Sequence, residues 1–166
     1  MKVLVTGFEP FGGEAVNASI EAVRRLPQRI GAMEIVTAEL PTSYSNSIPA
    51  LAAAIARSQP DLVLCVGQAG DRATLCVERV AVNLQDARSP DNNGAQPVDV
   101  PIVAGGSAAY LATLPVRAAV AALHAAGLPA QLSMSAGTFV CNHVFYGLMR
   151  LAAARKPPLR GGFLHV

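Results

Sequence analysis

The sequence predicts an α/β protein, a three-layer α/β/α sandwich around a twisted, largely parallel mixed sheet. Three observations lead there. Short apolar runs alternate along the chain with segments whose apolar residues recur at helical spacing. From Asp61 the chain runs apolar to Val66 and stops at Gly67, the pattern of a strand buried on both faces. Hydrophobic residues make up 52% of the 166 positions against 14% charged, which excludes disorder and suffices for one sizeable core.

Lys2 to Thr6 is predicted as the first strand, followed by a turn-rich loop, Gly7 to Gly13, that carries Phe8 and Phe11. Asn17 can cap a helix reaching about Leu26, with Ile20, Val23 and Leu26 on one face and Pro27 as breaker. Glu34 to Leu40 reads as a strand and Ser45 to Arg57 as a helix. Beyond the Asp61 to Val66 strand, Thr74 to Asn83 is predicted as one further strand, with Glu78 and Arg79 inside it. Asp86 to Pro101, with Pro90, Pro97 and Asn93-Gly94, is expected to be mostly loop. Pro115 fits the first turn of a helix that runs to Ala126 and ends at Gly127. Ala130 to Ser135 is a strand, and a helix follows from about Asn142 to Arg155, stopped by Pro157-Pro158. Gly162 to Val166 closes the chain as a short strand. No repeat or linker divides it, so residues 1–166 are expected to form a single domain.

Composition narrows the function classes. Net charge is +2 with the basic residues scattered, which gives neither a nucleic-acid stripe nor a polybasic membrane patch. No apolar run is long enough for a membrane span, and the opening apolar stretch is too short for a secretory signal. The three cysteines, Cys65, Cys76 and Cys141, form no C-x-x-C pair, and so sparse a set fits a reducing cytoplasm.

In α/β folds ligands gather beyond the carboxyl ends of strands. The loops after Thr6, Val66 and Ser135 are therefore expected to share one rim, holding Phe8, Phe11, Gln68, Phe139 and Cys141. Cys141 stands where a turn hands over to a helix, and the positive end of the helix dipole favours its thiolate, the reactive form. It also shares a stripe with Val144, Phe145, Leu148 and Ala152, so an inert core thiol is the competing reading. The tight Gly137-Thr138-Phe139 lead-in favours a site; Cys65 and Cys76 read as core.

A nucleophilic thiol needs a base and an orienting acid. His124 sits near the end of an alanine-rich helix. His143 follows Cys141 by two residues and points about 200° away around a helix. His165 lies in the terminal strand. The residues by themselves leave His143 and His165 both open. Glu78 is the leading acid, because a carboxylate within an apolar strand needs a compensating partner. Glu9, Asp71, Asp86 and Asp91 are weaker candidates in loop contexts.

Five segments, in order, resemble the pyroglutamyl peptidase I (pyrrolidone carboxyl peptidase) family. They are Gly7-Phe8-Glu9-Pro10-Phe11-Gly12-Gly13, Gly67-Gln68-Ala69-Gly70, the stretch from Glu78-Arg79-Val80-Ala81 through Asp86-Ala87-Arg88 to Pro90-Asp91-Asn92, Ser135 through His143, and Arg160 through Val166. The resemblance implies a single catalytic domain with Cys141 as nucleophile, His165 as base and Glu78 as orienting acid. It implies Arg88 and the Cys141 N–H at the oxyanion, and the Gln68 carbonyl as acceptor for a lactam N–H. It implies removal of an N-terminal pyroglutamyl residue from peptides with no metal or cofactor, by a homo-oligomer, often a tetramer.

The residues suit that substrate. Pyroglutamate is a flat, neutral ring without a free amine, and Phe8, Phe11 and Phe139 can wall it. The rival reading is a nucleotide-binding module, but neither glycine-rich loop matches a phosphate-loop pattern, and Phe8 and Phe11 would crowd a phosphate. An inactive family member that binds pyroglutamyl termini without cleaving them is the third. There are two departures. Asn17-Ala18-Ser19 stands where the family is expected to have Asn-Pro-Ser. Family members also continue past the histidine into a C-terminal helix, whereas this sequence stops one residue after His165. A domain lacking that helix would leave the His165 strand short of cover.

Overall fold

The computed structural model describes residues 1–70 and 72–166; Asp71, one of the weaker acid candidates, lies outside the described residues. The strands are β1 (Lys2–Phe8), β2 (Arg29–Ile30), β3 (Met33–Leu40), β4 (Leu62–Gly67), β5 (Leu75–Glu78), β6 (Val80–Val82), β7 (Ala109–Leu111), β8 (Ala130–Ser133) and β9 (Arg160–His165). The helices are α1 (Ala18–Arg24), α2 (Ser47–Ser58), α3 (Val116–Ala125) and α4 (Val140–Ala154). Local chemistry sets their ends. The Asn17 side chain accepts the Ser19 N–H at 3.0 Å and starts α1. α2 closes on Gln59, which is left-handed at φ 47.

Seven strands form the main sheet in the order β2-β3-β1-β4-β9-β5-β8. β1, β3, β4 and β9 are parallel, β5 meets β9 antiparallel, and β8 follows β5. The sheet is thus mixed and largely parallel. β4 sits between β1 and β9, with Val63, Cys65 and Val66 buried, as its unbroken apolar run predicts.

One face packs Leu4, Phe8, Val63 and Phe163 against Leu51 and Ile55 of α2 and Val144, Phe145 and Leu148 of α4. The other packs Val3, Val5, Ile35 and Val66 against Ile20 and Val23 of α1. α3 joins the parallel neighbours β5 and β8 and, by right-handed crossover, lies on the α1 side. Leu114, just before it, packs at Gly162 on that face. These are the three layers.

Two departures shape the site. Thr74 to Asn83 is not one strand. β5 stays in the main sheet, while β6 leaves it to pair with β7, which the sequence reading did not find. The buried Asn142 side chain draws the chain away: its carbonyl accepts the Val82 N–H, and its amide donates to the Val82 and Leu84 carbonyls. The second departure concerns the rim. β8 runs opposite to β1 and β4, so the segment after it does not leave the same edge as the loops after β1 and β4. It ends at Ser133, level with Glu78, and residues 134–139 carry the chain on to α4. The His165 strand is not short of cover. It is paired on both edges, α4 packs on it, and His165 is 3% exposed.

Candidate active site

Residues 134–139 deliver the chain to α4 through Gly137 at φ 77, a left-handed turn that suits glycine. Thr138 fixes this turn: its hydroxyl donates to the Asp86 carbonyl at 2.7 Å, and its carbonyl accepts the Asp86 N–H at 3.2 Å. Val140 opens α4, so Cys141 lies in its first turn, among N–H groups that no preceding carbonyl satisfies. The helix begins two residues earlier than periodicity indicates, because the side-chain pattern cannot register the tight lead-in.

Cys141 opens on a cleft of about 550 Å³ whose lining includes Phe8, Phe11, Gln68, Arg88, Phe139 and His165. Six predicted residues thus meet Cys141 in one cavity. Phe11 and Phe139 approach with ring centroids at 6.0 Å, and Tyr44 meets Phe139 edge-on at 5.7 Å. Phe8 is almost fully buried and stacks toward Phe163. Arg88 is exposed on the cleft wall, on the segment that Thr138 clamps through Asp86.

Glu78 is fully buried, and its Oε1 accepts a hydrogen bond from His165 Nδ1 at 2.8 Å. Sheet register makes this contact. Across the antiparallel β5–β9 pair, Cys76 faces His165 and Glu78 faces Phe163. Glu78 and His165 are therefore diagonal neighbours on one face, within reach of long side chains. The Arg72 guanidinium donates to the same Glu78 oxygen at 2.7 Å and to the Ser135 carbonyl at 2.9 Å.

His143 is elsewhere. Its ring is buried edge-on to Tyr44, 5.3 Å between centroids, and among the described residues neither nitrogen is hydrogen-bonded. Burial, only partly offset by Tyr44 and Asp91, lowers its pKa to about 4. Of the weaker acid candidates, Asp86 lines the cleft, while Glu9 and Asp91 are structural. Glu9 accepts the Thr42 N–H and the Asn92 amide. Asp91 accepts the N–H groups of Tyr44, Asn93 and Ala95. Cys65 and Cys76 are core thiols, both fully buried.

The Cys141 thiol departs from the sequence expectation of a resting thiolate. Burial, then the charge of Glu78 and the neighbouring Cys65, push it up to about 12, with Arg72 acting the other way. The helix N-terminus also favours thiolate, but a thiol so placed is neutral until a base takes its proton.

Sequence reasoning passed over Arg72, Asn142 and Thr138. Arg72 lies two residues past the recognised Gly67-Gln68-Ala69-Gly70 loop, and Asn142 lies inside the cysteine motif; each was legible as a polar residue in or beside a site segment, but not by its partner. At the Asn17-Ala18-Ser19 departure, the Ala18 N–H donates to Gln68 Oε1 at 2.6 Å, a bond that proline could not make.

Comparison with known proteins points to one family. The chain is 53% identical over 166 residues to a pyrrolidone-carboxylate peptidase of Enterococcus faecalis, covering 100% of this chain and 78% of that protein. A Streptococcus pyogenes pyrrolidone-carboxylate peptidase is 54% identical, with 77% of it covered. The crystal structure of Bacillus amyloliquefaciens pyroglutamyl peptidase I superposes with a TM-score of 0.96 at 51% identity, over 99% of this chain and 81% of that one. A pyrrolidone carboxyl peptidase mutant from Pyrococcus furiosus superposes with a TM-score of 0.96 at 40% identity, over 100% and 80%. The profile of the Peptidase C15 family, described as pyroglutamyl peptidase, matches residues 1–166, and the chain belongs to that family.

Proposed function

We propose that this protein is a cysteine exopeptidase that hydrolyses the N-terminal pyroglutamyl residue from peptides through a thioester. The observation that carries this reading is the His165 Nδ1 to Glu78 Oε1 hydrogen bond of 2.8 Å, with His165 and Cys141 lining one aromatic cleft. Because Nδ1–H is held by the carboxylate, Nε2 is the nitrogen left to take the thiol proton.

Cys141 Sγ attacks the pyroglutamyl carbonyl carbon as His165 Nε2 takes its proton, and the carbonyl oxygen becomes an oxyanion. The Cys141 N–H at the start of α4 and the Arg88 guanidinium stabilise that charge. Collapse breaks the C–N bond; imidazolium His165 protonates the departing amine, leaving a thioester. Water, deprotonated by His165, then attacks the thioester and releases pyroglutamate and the thiol. Glu78 holds the tautomer and offsets the imidazolium. Phe8, Phe11 and Phe139 wall the ring, and the Gln68 carbonyl accepts the lactam N–H. A ring without a charged amine suits a cleft lined by phenylalanines.

The same reading takes residues 1–166 as one catalytic domain acting without metal or cofactor in a reducing cytoplasm, as a homotetramer. Three free cysteines support the compartment, and no helix among the described residues is long and apolar enough to cross a membrane. The test is release of an arylamine from a pyroglutamyl arylamide under reducing conditions. Activity is expected to vanish on iodoacetamide treatment and in Cys141→Ser and to survive a chelator. Full activity in Cys141→Ser would sink the mechanism.

A further inference from the structure

Arg72 is a charged residue of this site that the reaction as written does not use. Its Nη1 donates to Glu78 Oε1 at 2.7 Å and its Nη2 to the Ser135 carbonyl at 2.9 Å. Glu78 Oε1 therefore serves both Arg72 and His165, while its Oε2 is buried with no hydrogen-bond partner among the described residues. Glu78 is 0% exposed, and among the described residues Arg72 is the one permanent cation in contact with it. A buried carboxylate with no cation is costly enough to protonate or move. The other arm of the guanidinium holds Ser135, at the head of the turn that leads into α4 and Cys141.

We propose that Arg72 is a positioning residue for this reaction: it is the counter-charge that holds Glu78 with one oxygen turned to His165, and it ties that acid to the segment that presents Cys141. The proposal rests on the roles given above to Cys141, His165 and Glu78. It has an electrostatic consequence that a mere brace would not have. The Arg72 cation, one hydrogen bond beyond Glu78, favours the Cys141 thiolate. The other titratable groups around the pair are Cys76, opposite His165, Cys65, opposite Phe163, and Asp86 and Arg88 on the cleft wall. Among the described residues none of these is hydrogen-bonded or ion-paired to Glu78.

The test compares wild type, Arg72→Gln and Arg72→Lys in two measurements across pH: kcat/KM on a pyroglutamyl arylamide, and the rate of iodoacetamide alkylation. Cys65 and Cys76 are fully buried, so alkylation reports Cys141 and needs no turnover. A wild type that alkylates but does not cleave the arylamide would defeat the proposed function and still leave Arg72 testable. In Arg72→Gln the acid limb of kcat/KM and the alkylation midpoint are expected to move up by on the order of one pH unit, with kcat reduced. Arg72→Lys keeps the charge but not the fork. Its midpoints are expected to return to within roughly 0.3 unit of wild type, while kcat stays about fivefold or more below it at unchanged KM. Soluble Arg72→Gln with wild-type midpoints overturns the proposal. If that variant does not fold, Arg72→Lys decides alone, and wild-type kcat in it overturns the proposal.

Discussion

A Cβ placed on Gly67 would lie 2.9 Å from the Cys141 sulfur. The same atom would lie 2.8 Å from the Phe163 ring, and Gly67 is itself the register partner of His165. The end of β4 is therefore the floor on which the thiol rests, and the missing side chain is the space it uses. Gly67→Ala is expected to displace the sulfur and lower kcat by roughly 100-fold, the usual cost of a misplacement near 1 Å. Circular dichroism should show a retained fold. Near-wild-type kcat in Gly67→Ala would mean that the thiol does not depend on this floor.

Glu78→Gln keeps the shape of the side chain but removes the charge that holds His165. The expected result is a loss of roughly 10²- to 10⁴-fold in kcat with little change in KM, as for an orienting carboxylate that acts only once the imidazole is charged. Steady-state kinetics on a pyroglutamyl arylamide measure it, and a change confined to KM would contradict the orienting role.

His143 gives the fold an acid sensitivity separate from catalysis. Its pKa is about 4 in the folded protein, below the ordinary 6.5. As pH falls between those values the unfolded chain binds a proton that the folded one refuses, so stability is lost on acidification across that window. Between pH 7 and pH 5 the loss from this residue is about 2 kcal/mol. His143→Phe keeps an aromatic edge against Tyr44 and removes the titration. Urea unfolding at the two pH values should show a smaller pH dependence in the variant; an equal dependence would mean that other groups govern it.

The Ala18 N–H to Gln68 Oε1 bond of 2.6 Å anchors the residue whose carbonyl is proposed to meet the lactam. Proline is accepted at the first helical position but has no N–H to give. Ala18→Pro should leave α1 intact and raise KM by roughly 2- to 10-fold with kcat unchanged, the effect of one lost hydrogen bond. An unchanged KM would show that Gln68 is held without it.

The fold was legible where the pattern is local. The apolar runs of β1 and β4, the weak alternation of β3 and the apolar face of α1 follow from burial of side chains near one another in sequence. The split between β5 and β6 was not legible, because the side chain that draws the chain aside is Asn142, 60 residues from Val82. The short strands β2 and β7 carry too few residues to form a pattern.

What the sequence by itself determined is the inventory: an α/β alternation, a cysteine at a helix start, a carboxylate in an apolar strand, a terminal histidine and phenylalanines in the right loops. Those follow from residue type and short-range periodicity, and the family resemblance draws on the same motifs. Between His143 and His165, residue order left two open choices. Only the tertiary structure puts His165 against Glu78 and seals His143 beside Tyr44. The physical reason is register. Antiparallel pairing of β5 with β9 makes residues 87 positions apart diagonal neighbours on one face, a distance that no local pattern encodes.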